Sequence, residues 1–82
     1  MAEKTLDDLL SMKEILQVAI KREEESRAFY LKVRECARTP LEEEMFTKLA
    51  DQELVHKNAL QQKLDEIEAQ MDIDRALSYD VY

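Results

Sequence analysis

Glycine is absent from this 82-residue chain, and proline occurs once, at Pro40. Tight strand hairpins draw on those residues for their turns, so a sheet of several strands is excluded. Cysteine also occurs once. Cys36 therefore has no partner for an internal disulfide or for a Cys-rich metal site, and a reducing, cytoplasmic setting is expected. A lone cysteine is read first as a small packing residue and only second as a reactive thiol. Positive charge is in the minority, with a net charge of −7. The basic residues are scattered among acids, which argues against nucleic-acid and anionic-membrane partners. No apolar run approaches the length of a membrane span. The opening MAEKTLDD is acidic and polar, unlike a signal peptide.

Leu, Glu, Lys, Ala and Gln dominate instead, the composition of long helices with few connections. Two capping boxes mark helix starts, Ser11-Met12-Lys13-Glu14 and Thr39-Pro40-Leu41-Glu42. The second adds proline at the first helical position, where its missing N–H costs nothing. The expected layout is a leader over 1–10, a first helix from about Met12 to Arg38, and a second from Pro40 to about Gln70. So short a connection folds the helices back antiparallel in a single hairpin domain. The leader reads as a helical turn or an extended arm. Residues 71–82 read as a tail or a short third helix capped by Asp72 or Asp74, with Tyr79, Val81 and Tyr82 needing somewhere to pack.

Each helix carries a stripe at alternating steps of four and three. The first is Met12, Leu16, Ala19, Glu23, Ser26, Tyr30, Val33 and Ala37; the second is Phe46, Leu49, Glu53, His56, Leu60, Leu64 and Ile67. Glu23, Glu53 and His56 occupy these stripes against type. Glu24 and Glu25 rotate away by about 100° per residue and read as solvated charges. Glu23 lies sixteen residues before Thr39, and Glu53 and His56 lie fourteen and seventeen after it. At about 1.5 Å per residue all three stand roughly 21–26 Å from the turn. Uncompensated buried charges cost on the order of several kcal/mol each, so a compensating partner is required. A divalent cation supplies it, and carboxylate with imidazole suits iron, manganese or zinc.

A lone hairpin leaves both stripes open to water on one side. Two hairpins packed face to face close a four-helix bundle and duplicate the ligand set. Four carboxylates then balance two divalent ions, which favours a metal pair at the two-fold axis of a homodimer.

At AIKREEESRAFY and FTKLADQELVHKNAL the chain resembles the rubrerythrin branch of the ferritin-like superfamily. That resemblance runs from Ser11 to about Leu64 and rests on Glu23 with Tyr30 seven residues on, and on Phe46, Leu49, Ala50, Glu53 and His56. It implies a ferritin-like four-helix bundle with a non-haem di-iron centre, one Glu from each of two helices and Glu-x-x-His from each of the others. It also implies that Glu53 bridges the metals, that Glu23 and His56 are terminal or switching ligands, and that Tyr30 hydrogen-bonds a ligand carboxylate. A tyrosine tip reaching solvent is the plainer alternative for Tyr30. Rubrerythrins carry four helices in one chain and often a Cys-rich electron-delivering domain, and this chain has neither. It is closer to half-length relatives that build the site across a dimer, including those housed in encapsulin shells.

Three functions follow. The first is a di-iron oxidoreductase of ferroxidase or peroxidase type, using ferrous iron with dioxygen or peroxide, with an external electron donor in the peroxidase case. The second is a metal-stabilised dimerisation module. The third is a metal-free hairpin whose polar core residues set register.

Overall fold

A computed structural model of the chain describes residues 6–79. Two helices account for almost all of them, α1 (Leu6–Arg34) and α2 (Pro40–Tyr79). They pair antiparallel, and cross-helix contacts advance in opposite directions along the chain. Arg34 Nη1 donates to Thr47 Oγ1 at 3.3 Å, Lys57 Nζ lies 3.7 Å from Glu24 Oε2, and Lys13 Nζ lies 3.6 Å from Glu68 Oε1. The expected all-α hairpin is the observed fold.

Three helix ends differ from the sequence reading. α1 begins at Leu6, not after Ser11. Nothing between Leu6 and Ser11 in the sequence breaks a helix, and Ser11 becomes an exposed interior residue and not a cap. α1 also stops at Arg34, four residues before Arg38. With no glycine for a left-handed cap, the last turn tightens. The N–H groups of Glu35, Cys36 and Ala37 donate to the carbonyls of Lys32, Val33 and Arg34 at 3.1, 2.9 and 3.0 Å. The residue before a proline is steered out of the helical region, so the reversal must be complete by Thr39.

The second capping signal is realised. Glu42 N–H donates to Thr39 Oγ1 at 3.1 Å, and Glu42 and Glu43 lie in the first turn. α2 then runs unbroken past Gln70, so residues 71–79 extend it and form no separate helix. Asp74 does not cap a new start: it accepts from Gln70 Nε2 at 3.0 Å within the same helix. Met71 is buried in the seam and anchors the extension. The first five residues of the expected leader, and Val81 and Tyr82, lie outside the described residues.

Ile20, Ala50, Leu64 and Met71 form the buried seam among the described residues. All eight residues of the α1 stripe are half-buried, as are those of the α2 stripe apart from buried Leu64 and exposed His56. Ala50 is 0 % exposed, which leaves no room for a larger side chain. Ala50→Leu is expected to destabilise the hairpin by about 1–3 kcal/mol through overpacking, read as a lowered midpoint in urea denaturation.

Candidate metal centre

Helical geometry brings the three stripe residues together. Glu53 and His56, three apart on α2, project from adjacent turns of one face, and Glu23 meets them from α1. One donor atom from each of Glu23, Glu53 and His56 lies within 4.8 Å of the others. Two ligands about 2.1 Å from a common ion can be at most roughly 4.2 Å apart, so a small inward adjustment brings the three onto one cation.

His56 Nδ1 lies 3.7 Å from Glu23 Oε2, too far for a direct hydrogen bond. Glu23 Oε2 is buried and has no hydrogen-bond partner. The Glu53 carboxyl titrates above its ordinary value, first through hydrogen bonding with the Glu23 carboxyl, then through partial burial and repulsion between the two charges. His56 pulls in the opposite direction without cancelling the rise. An orphaned carboxylate oxygen, a neighbouring carboxyl with a raised pKa and an imidazole within 4.8 Å make a group that could hold a cation. The residues fit a divalent ion of the iron, manganese or zinc type.

The cluster lies on the open side of the seam. The Glu23 side chain is 24 % exposed and that of His56 59 %. Glu24 and Glu25 are exposed, and Glu24 turns to Lys57, which separates one inward carboxylate from two surface charges in the EEE run. Tyr30 is half-buried two turns beyond Glu23. Its ring meets Phe29 edge-on at 5.5 Å and 63°, and the structure does not bring its hydroxyl to the cluster within one hairpin. Sequence pattern alone assigns no role to Arg27, whose Nε is also buried without a partner. The available signal was its place four residues after Glu23, one turn along the inward face.

A helical hairpin presenting a carboxylate–histidine cluster at mid-height is a ferritin-like arrangement. The rubrerythrin family model matches residues 14–82, and the chain belongs to the rubrerythrin family, whose members typically bind iron. No curated protein and no solved structure gives a significant match.

The raised Glu53 value has a defined sign. Such a group favours the folded state most below its ordinary value and loses that contribution as pH rises through the folded value. In metal-free protein at neutral pH, Glu53→Gln is therefore expected to raise the melting temperature, with the gain shrinking as the pH falls into the acid range. With metal present the order should reverse. Wild type gains about 2.7 kcal/mol at a hundredfold excess over Kd, roughly 10–20 °C for a domain of this size, and the variant gains little. Thermal melts across pH, with and without metal, read both.

Proposed function

We propose that this chain is a non-haem di-iron protein whose centre is completed when two hairpins pack face to face, and that it acts in iron oxidation and iron handling. The observation that carries the reading is the convergence of Glu23, Glu53 and His56 around an orphaned carboxylate oxygen. Three residues per chain would leave open positions on an ion, and a second copy would bring an equal set with a second ion, close enough for carboxylates to be shared.

The shape of one hairpin supports a partner. Its radius of gyration is 18.7 Å, against about 12 Å for a compact chain of this length. Ile15, Val18, Leu41 and Met45 are all more than half exposed, and helical rotation puts them on the same side of the seam as His56. A groove of about 500 Å³ along α1, lined in part by Ile15, Val18 and Ala19, lies there too. Filling it with a partner helix removes apolar surface from water and draws solvent away from the cluster.

Bound as a pair, iron would supply the electrons for dioxygen or peroxide reduction. The chain's own part is to hold charge and geometry. Glu53, whose proton is held more firmly beside Glu23, would serve as the carboxylate shared between the ions. Glu23 and His56 hold the flanks. Tyr30, lacking a hydroxyl partner in one hairpin among the described residues, is placed to donate to a ligand carboxylate across the interface. Repeated peroxide turnover would draw its electrons from an external donor.

Anaerobic ferrous titration, followed by air with the optical spectrum and oxygen uptake recorded, tests this. A chromophore saturating near two irons per dimer, lost in Glu53→Ala, is expected. A flat trace, or equal stabilisation by zinc with no oxygen uptake, leaves only a metal-stabilised module. Ile15→Asp puts a charge into the proposed interface at a cost of about 3 kcal/mol. Sedimentation should then show dimerisation weakened about a hundredfold, and iron binding should weaken with it.

A further inference from the structure

One position before the inward stripe of α1 runs a second series at the same alternating steps, Ile15, Val18, Arg22, Glu25, Phe29 and Lys32. A shift of one residue turns it by about 100°, and all six side chains are exposed. Ile15, Val18 and Phe29 are 67, 54 and 60 % exposed. Large apolar side chains at heptad spacing mark a helix that packs on another helix.

Two clefts meet on this flank. One of about 500 Å³ is lined in part by Ile15, Val18 and Arg22, and one of about 370 Å³ by Arg22, Glu25 and Phe29. Sharing Arg22, they make a trough along α1 from residue 11 to residue 30.

The order of residues in the series identifies what fills the trough. The six pair off about a point midway between Glu23 and Glu24: Arg22 with Glu25, Val18 with Phe29, and Ile15 with Lys32. A second α1 laid antiparallel, with a two-fold axis at that point, sets Arg22 level with the partner's Glu25 and Val18 level with the partner's Phe29. Each pair occurs twice. The contact then has two ion pairs at its centre, an apolar layer on either side, and lysine stems over isoleucine beyond them.

Within the hairpin neither Arg22 nor Glu25 makes an ion pair among the described residues. Both charges are therefore free for a partner. Parallel docking would set arginine on arginine and glutamate on glutamate, which repel. The matching series on α2, Lys48, Gln52, Val55 and Ala59, offers Arg22 no carboxylate.

We propose that α1 is a self-recognition surface, on which α1 of a second copy lies antiparallel with Arg22 paired to the partner's Glu25 and Val18 packed on the partner's Phe29. This rests on the two-hairpin reading and gives that pairing its register. The axis falls beside Glu23, a height obtained from the order of charged and apolar residues with no appeal to the cluster. In this register the two copies of the cluster meet at one level.

Sedimentation equilibrium of the full chain, with chelator and again with ferrous iron under anaerobic conditions, tests the proposal. Arg22→Glu or Glu25→Arg alone sets like charges together twice and should weaken dimerisation at least about tenfold. Combining the two restores both pairs and should return the affinity to within about threefold of wild type. Circular dichroism checks that each variant stays helical, and where a single reversal unfolds the hairpin, cross-linking decides. In a Cys36→Ser background, Val18→Cys and Phe29→Cys chains oxidised together should form mixed disulfide dimers. Either chain alone should not, because its two copies of the cysteine stand about 16 Å apart along the helices. Self-linked Val18→Cys dimers, dimers indifferent to the charge reversals, or a wild-type chain monomeric with and without iron, overturn the proposal. Rescue by the combined reversal without iron uptake upholds this pairing and ends the di-iron reading. Two irons per dimer with no response to the reversals end this pairing alone.

Discussion

Two carboxylates held on facing helices at one height repel each other, and the rest of this hairpin is arranged around that repulsion. Glu53 keeps its proton more firmly because Glu23 is beside it, and His56 stands close enough to attract but not to bond. A chain selected for stability alone would put leucine at such positions, as it does at Leu60 and Leu64 on the same stripe. The surrounding fold has to be rigid enough to hold unlike preferences together. That rigidity comes from two long helices, a five-residue reversal without left-handed residues among those described, and a seam tight enough to enclose Ala50 completely.

The cost of the arrangement appears as thinness. Four side chains are buried in the seam among the described residues, a small core for a chain near the lower limit of independent folding. Large apolar side chains remain in water beside the cluster. Exposed apolar surface and the Glu23–Glu53–His56 cluster lie on the same flank, so the proposed partner would cover both. In the proposed dimer, linkage would make assembly and metal binding mutually reinforcing, because whatever favours the paired state favours every ligand that binds only to it.

The stripes are legible in the sequence because helical periodicity is unambiguous when no glycine or interior proline interrupts it. The level of the cluster is legible too, since Thr39-Pro40 fixes where the chain reverses and rise per residue does the rest. Helix ends are less so. Ser11 carries a capping pattern that the chain ignores, because a start signal does not prevent a helix from beginning earlier. Arg38 falls outside α1 because the reversal before Pro40 needs several residues that helical propensity alone would keep. Met71 was hidden for the opposite reason. Asp72 and Asp74 read as caps until the seam is known to extend far enough to bury the methionine between them and Leu64. Arg27 was invisible because arginine at a helix position is ordinarily solvated, and only packing reveals that its Nε is enclosed.

The one-residue offset between the cluster and the Glu24–Lys57 pair on the opposite flank follows from the helix itself. Successive side chains diverge by about 100°, so neighbours in sequence serve different faces at a common height. Glu23 and Glu24 divide in this way, as do Glu53 and Leu54, and His56 and Lys57. On one flank two acids stand together with an imidazole; on the other, Lys57 Nζ and Glu24 Oε2 lie 3.7 Å apart and offset each other. A thin two-helix scaffold can therefore carry a concentration of unlike charges near its middle by dividing them between its faces.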